Sequence, residues 1–335
     1  MRAYEITKFG IDELKLAERP DRAPGFGQVA IKVRAVSLNF RDLMVAKGQY
    51  NPKLKMPMVP CSDAAGEVTA IGEGVTRVKP GDRVCGIFMQ GWLSGEVNEA
   101  AARTAMGGNI DGVLAESIVL SQDGVVPIPE HLSFEQAATL PCAAVTAWNA
   151  LVIRGQVRAG DTVLILGTGG VSIFALQFGV ISGARVIATS SSDEKLTRTK
   201  SMGAWEAINY KTTPDWEERV RKLTGMGVDH VVEVGGTGTL MKSLRAVRMA
   251  GTVSVIGALS GGAPSDISPV PILMKSIRVQ GIFVGSREMF ESMNRAIVAH
   301  RLMPVVDRVF EFDQAREAMH YMESGAHFGK VVIKV

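Results

Sequence analysis

The sequence predicts an α/β protein in which a doubly wound parallel sheet is set inside a β-rich unit that opens the chain and closes it. Three observations lead there. From residue 163 onward, six short apolar runs alternate with helical patterns. Residues 1 to about 125 carry instead short β-type runs separated by glycine-rich turns. The last segment, "VDRVFEFDQAREAMHYMESGAHFGKVVIKV", reads strand, helix, strand and is expected to return to the first unit.

The 335 residues are enough for about two domains. Apolar residues make up 46% and charged residues 21%, the balance of an ordinary globular chain. A net charge of +3 makes no electrostatic case for nucleic acid or a membrane surface as partner. The three cysteines, Cys61, Cys85 and Cys142, are widely spaced, so neither a zinc knuckle nor a disulfide framework is expected and a cytoplasmic setting is. The start, "MRAYEITKFG", lacks an apolar signal region. The apolar stretch 171–184 is too short to span a bilayer and reads as a buried helix.

In the first unit, "QVAIKVRAVSL" alternates, with Val29, Ile31, Val33 and Ala35 on one face of a strand. "AGEVTAIGEGVTRVKPGDRVCGIF" continues with short runs broken at glycines. After "PIPEHLSFEQAATL" the rhythm changes. The six runs are "TVLILG", "ARVIATS", "EAINY", "VDHVVEVGG", "GTVSVIG" and "SIRVQGIFVG". Helical patterns such as "DEKLTRTKSMG", "DWEERVRKLTG" and "GTLMKSLRAVRMAG" separate most of them, several stopping at glycine. Parallel strands joined by helical crossovers form a doubly wound sheet.

The first run ends in Gly167, Thr168, Gly169, Gly170, Val171, Ser172, close to G-x-G-x-x-G with serine in the last place. The turn follows a strand and opens a helix, the context a dinucleotide-binding (Rossmann) turn requires. Gly167 permits the tight turn and Gly169 lets backbone approach a pyrophosphate, which the free N–H groups of the helix start then hold. Ser172 replaces a packing glycine and is expected to cost slight local spreading. At the end of the second strand, where an NAD site places an acidic residue, stand Thr189, Ser190, Ser191 and Ser192, with Lys195 one turn on. Hydroxyls and a lysine suit the 2′-phosphate of NADPH, which a carboxylate would repel. Tyr210 is placed to add a hydroxyl. Ser192 or Asp193 also serves as a helix cap.

With these residues in view, the chain resembles the medium-chain dehydrogenase/reductase superfamily over nearly its whole length. Its look is that of the zinc-independent, quinone-oxidoreductase-like and alcohol-dehydrogenase-like members. The stretches that carry the likeness are "AVSLNFRDL", "PCSDAAGEVTAIGEGV", "KPGDRV", "AATLPCAAVTAW", "GTGGVS", "VIATSSSDEKL" and "HFGKVVI". The resemblance implies a GroES-like catalytic domain over residues 1–125, completed by 299–335, and a Rossmann domain over 126–298, with nicotinamide held in a cleft between them. It implies a homodimer through the edge strand "SIRVQGIFVG". It places Thr146 at the nicotinamide ribose, Phe283 and Val284 at the carboxamide, and Lys330 near the pyrophosphate; Gly257 joins the cofactor-binding set.

Zinc-dependent members hold their metal through Cys, His and Cys. Those positions correspond here to Asn39, to Ser62 within Cys61-Ser62-Asp63, and to Cys142, so one ligand survives. Residues 86–114, the place of a structural zinc lobe, contain no cysteine. All five histidines lie beyond residue 130. Asp42, Asp63 and Cys142 would make a poor site, since catalytic zinc takes about three protein ligands and an open position. The expectation is therefore a zinc-free enzyme.

Without a Lewis acid, an alkoxide is poorly stabilised, whereas hydride addition to an enone or quinone spreads charge to a remote oxygen. The expected activity is NADPH-dependent reduction of a quinone or activated C=C. Asn39 is the first candidate for a polar contact, or it caps the helix at "FRDLMVAKG". Asp42 orients neighbours or is a helix-terminal charge. Tyr50 is a proton donor or a surface tyrosine; its ordinary pKa near 10 makes it a donor, not a base. Cys142 reads as a small core residue. Two alternatives stand: an alcohol or aldehyde dehydrogenase of the same superfamily, and a NADPH-binding sensor or scaffold without catalysis.

Overall fold

The computed structural model describes residues 1–257, 259 and 267–335. Its strands are β1 (Arg2–Ile6), β2 (Leu14–Glu18), β3 (Gln28–Ser37), β4 (Asp63–Ile71), β5 (Arg83–Gly86), β6 (Ser117–Ser121), β7 (Val125–Pro127), β8 (Thr162–Leu166), β9 (Arg185–Ser190), β10 (Glu206–Asn209), β11 (Val228–Glu233), β12 (Val247–Val255), β13 (Arg278–Gly281), β14 (Val306–Glu311) and β15 (Lys330–Lys334). The chain forms two compact units, Met1–Val145 with Gly285–Val335, and Thr146–Val284.

The first unit is the β-rich one. Its main sheet runs β14-β15-β3-β4-β5-β7, with β6 also paired to β3. The alternation read in β3 is real: Val29, Ile31 and Val33 are buried between exposed or half-buried neighbours. They share one core with Phe310, Met319, Val331 and Ile333 from the C-terminal segment, which therefore completes this unit as expected. β15 lies antiparallel to β3, pairing Val332 with Ser37 and Ile333 with Val36.

The expected boundaries at 125/126 and 298/299 differ from the observed division, because residues 126–145 and 285–298 belong to the first unit. The helix Arg287–His300 is tied there by polar contacts. Arg287 Nη1 donates to Asp123 Oδ1 at 3.0 Å, and Asn294 Nδ2 donates to the Pro127 carbonyl at 3.1 Å. Hydrophobic periodicity shows that this helix exists and says nothing about which sheet it packs on.

The second unit holds the six expected runs as six parallel strands in the order β10-β9-β8-β11-β12-β13. The order starts at the centre, moves to one side, then crosses to the other, which is the doubly wound dinucleotide-binding arrangement. β8 is buried at every residue, as a strand covered on both faces must be. β13, at the sheet edge, is exposed along its whole length. The pattern "GTLMKSLRAVRMAG" yields a shorter helix, Leu240–Ala246, because β12 already begins at Val247. The helical path Phe134–Ile153 has the length and apolarity to cross a membrane, but 78% of its most apolar window is buried inside the protein, as in a core helix.

Candidate active site

At the C-terminal end of β3 the first unit gathers four ionisable groups. Ser37 sits between Val332 of β15 and Asp63 of β4. Leu38 N–H donates to the Val331 carbonyl at 3.0 Å, and the chain then turns into the helix Phe40–Ala46 with Asn39 at the cap position. Asp42 reaches back and accepts the Asn39 backbone N–H at 2.8 Å, one half of a capping box. The Asn39 side chain is committed elsewhere. Its Oδ1 accepts from Lys330 Nζ at 2.6 Å, and the same ammonium donates to the Leu38 carbonyl at 2.5 Å. Lys330 is 3% exposed, and Asp42 and Asp63 are 0% exposed.

Arg41 is the fourth group. Its Nη1 donates to the Met106 carbonyl at 3.0 Å and lies 3.6 Å from Asp42 Oδ1. The guanidinium also lies over the rings of Tyr50 and Phe88, 4.9 and 4.7 Å from their centroids. Two cations thus face two carboxylates. The balance is needed, because an uncompensated buried charge costs several kcal/mol.

The electrostatics follow. Burial pushes the Asp42 carboxyl up to about 6, opposed first by Arg41. Burial also raises Asp63, opposed first by Lys330. Asp63 accepts the Ser62 hydroxyl at 2.6 Å and the Cys142 N–H at 3.0 Å. Asn39 Nδ2 lies toward Asp63 and helps hold its pKa down without completing a hydrogen bond of ordinary geometry. Burial raises the thiols of Cys61 and Cys142, which keeps both protonated and unreactive at neutral pH.

Among the described residues, no group of three or more His, Cys, Asp and Glu side chains is arranged to hold a metal ion. Asp63 is spent on Ser62 and Cys142, Asp42 on Asn39, and the cation beside Asn39 is Lys330. These residues do not fit a catalytic zinc.

In the second unit the glycine turn takes the expected form. Gly167 has φ +73° and donates its N–H to Thr189 Oγ1 at 3.3 Å, tying the turn to the neighbouring strand. Gly169 caps the helix Gly170–Ile181, and a Cβ added there would meet no atom within 4 Å. That open flank, beside the first-turn N–H groups that include those of Gly170 and Val171, fits a pyrophosphate. Thr168 is buried. Ser172 differs in role from a residue that touches cofactor: it is 2% exposed and its hydroxyl donates to the Leu166 carbonyl at 2.7 Å. It pins helix to strand where a third glycine would merely let them approach.

The serine run divides. Ser192 caps the helix Asp193–Ser201 by accepting the Lys195 N–H at 3.3 Å, and Ser190 Oγ accepts the Ser192 N–H at 3.3 Å. Ser191 and Lys195 are half-buried and Tyr210 is 41% exposed, the first two following β9 and the tyrosine following β10. Gly257 serves packing, since a Cβ there would meet the Val234 carbonyl at 2.6 Å. Thr146 is buried. Val284 has φ +59°, rare for a β-branched residue, and its carbonyl accepts Asn149 Nδ2 at 2.7 Å; Phe283 beside it is 42% exposed. Lys330, expected at the pyrophosphate, is instead enclosed in the first unit on Leu38 and Asn39. Tyr50 lies against Arg41 and is neither an isolated surface ring nor fully enclosed.

Arg41, Ser62, Thr189 and Asn149 have structural roles that were not anticipated. Asn149 had a signal, a lone amide in the apolar run "AAVTAWNALVI". Arg41 had none, since Met106 and Phe88, two of its partners, come from distant parts of the chain.

Residues 25–130 match the alcohol dehydrogenase GroES-like domain, and residues 170–299 match the zinc-binding dehydrogenase family. A zinc-type alcohol dehydrogenase-like protein of Schizosaccharomyces pombe is 46% identical over 97% of this chain and 96% of its own length. This chain belongs to the medium-chain dehydrogenase/reductase superfamily. Among solved superfamily structures, an NAD-dependent alcohol dehydrogenase has a TM-score of 0.92 and 35% identity, with all of both chains covered. The quinone oxidoreductase of Pseudomonas syringae pv. tomato DC3000 has a TM-score of 0.84 and 27% identity over 100% of this chain and 99% of that one. The protein is an oxidoreductase of this superfamily, with a GroES-like and a Rossmann-like domain.

The raised Asp42 carboxyl has a stability consequence. A folded pKa of about 6 against an ordinary 3.8 means that the folded state holds the proton more tightly. The resulting stabilisation is full below pH 3.8 and is lost as pH rises through about 6. Thermal unfolding of the wild type and of Asp42→Asn checks this. The melting temperature of the wild type, relative to the variant, should fall between pH 4 and pH 7; a constant difference would show that Asp42 titrates normally.

Proposed function

We propose that this protein is a NADPH-dependent oxidoreductase that transfers hydride to a quinone or an activated C=C, such as an enone or enal, without a catalytic zinc. The observation that carries the reading is the Asn39–Lys330 pair. It stands at the position that the superfamily resemblance assigns to the first zinc ligand, and it offers an amide donor and a fixed monocation. A monocation and hydrogen bonds can stabilise an oxygen whose charge is spread over an enolate or hydroquinone; a localised alkoxide demands more.

When bound, NADPH supplies the hydride and leaves as NADP⁺. The chain's own residues do the rest. The glycine turn and the first-turn N–H groups of Gly170–Ile181 hold the pyrophosphate. Ser190, Ser191, Lys195 and Tyr210 receive the 2′-phosphate, with no carboxylate at the end of β9 to repel it. The N–H of Val284, whose carbonyl is already taken by Asn149, is left for the carboxamide. Asn39 Nδ2 donates to the substrate oxygen as its charge develops, and Tyr50 or water supplies the proton that completes the reduction, to the α-carbon of an enolate or to the oxygen of a hydroquinone anion.

The names of the relatives support a second reading, an alcohol dehydrogenase using NADH. Stopped-flow oxidation of NADPH against quinones, enones, enals and simple aldehydes separates them. Enones or quinones should react faster than aldehydes, and the reverse order would reject the proposal. The cofactor has its own check. Lys195→Glu should reduce the preference for NADPH over NADH by roughly 10–100-fold, the loss of one charge-assisted contact; an unchanged ratio would remove the 2′-phosphate pocket. We also infer a homodimer, extended through the exposed edge strand β13. Sedimentation should give twice the chain mass, and a monomer at micromolar concentration would dismiss it.

A further inference from the structure

We propose that Lys330 is a positioning residue that orients and polarises the Asn39 amide toward the substrate oxygen. This rests on the reading of Asn39 as the group that receives that oxygen.

The inference rests on burial and geometry. Lys330 is 3% exposed, and two of its three N–H donors are spent on the Leu38 carbonyl at 2.5 Å and Asn39 Oδ1 at 2.6 Å. Its place is set by β15, which pairs antiparallel with the end of β3 and so brings residue 330 under residues 38 and 39.

Three consequences follow from that placement. With Oδ1 held by the ammonium, the Asn39 amide cannot flip, so Nδ2 is fixed on the opposite side, where it lies toward Asp63 but has no hydrogen-bond partner of its own to occupy its N–H groups. A cation on the carbonyl end of an amide draws electron density from nitrogen and strengthens its N–H groups as donors. The site is also balanced without a metal, because Lys330 and Arg41 face Asp42 and Asp63. A single fixed positive charge, relayed through an amide, suits a delocalised oxyanion, and this narrows the substrate class to conjugated carbonyl compounds and quinones.

The test compares Lys330→Met, Asn39→Ala and the double variant. The expected result for Lys330→Met is a kcat for enone or quinone lowered about 10–100-fold, with the NADPH Kd from fluorescence titration changed less than about twofold. The double variant should be no slower than Asn39→Ala alone, since both changes remove one device. A weakened NADPH Kd with kcat intact would overturn the proposal and return Lys330 to the pyrophosphate. Strictly multiplicative losses in the double variant would overturn it as well. The side-chain amide resonance of Asn39 gives a reading independent of turnover: it should shift in Lys330→Met, and an unmoved resonance would refute the pairing. If the wild type reduces no enone or quinone, the functional reading fails while the resonance still decides the pairing. Where Lys330→Met does not fold, Lys330→Gln, which keeps donors without charge, takes the same measurements.

Discussion

The pairing of β15 with β3 is the constraint on which the first unit depends. It joins the last strand of the chain to the first long one, with Val332 opposite Ser37. The pairing closes the core by adding Val331 and Ile333 to Val33 and Val36. It also carries a lysine into an interior that already contains Asp42 and Asp63. A buried ammonium is tolerable only with hydrogen-bond acceptors and nearby negative charge, and all of these are present. The same geometry that completes the fold therefore fixes the polar cluster, and neither can be altered alone.

The second unit solves a different problem with neutral groups. A dinucleotide turn must leave the N–H groups at the start of its helix free, so it cannot be tightened by using those. Here the tightening comes from side chains on its far side. Thr189 accepts from the Gly167 N–H, and Ser172 donates to Leu166. Each such bond is worth about 1 kcal/mol net. Together they join the turn to two strands while the flank at Gly169 stays open. The serine in the last position of the motif thus contributes a bond that glycine could not make.

The architecture was largely legible in the sequence because burial on both faces leaves a continuous apolar run, and six such runs separated by helices admit few arrangements. The glycine turn was legible for a similar reason: its conformation requires particular residues at particular spacings. The limits of the units were less so. The helix Arg287–His300 looks the same whichever sheet it joins, and its attachment to Asp123 and Pro127 is a long-range matter. The partner of Asn39 was hidden in the same way, since 291 positions separate it from Lys330. Local pattern reports which faces are buried; it does not report which polar groups meet once they are.

Val284 shows how far a strained backbone can be interpreted. A β-branched residue in the left-handed region costs on the order of 1–3 kcal/mol. The hydrogen bond from Asn149 returns about 1 kcal/mol. The following residue is a glycine whose Cβ would meet Val145 Cγ1 at 2.4 Å, so the chain is also confined sterically at that point. Stability alone would favour a residue such as glycine or asparagine at 284. What the strained conformation does secure is a fixed direction for one peptide group, with its carbonyl occupied. A fixed direction of that kind is what the carboxamide contact proposed for this segment would require.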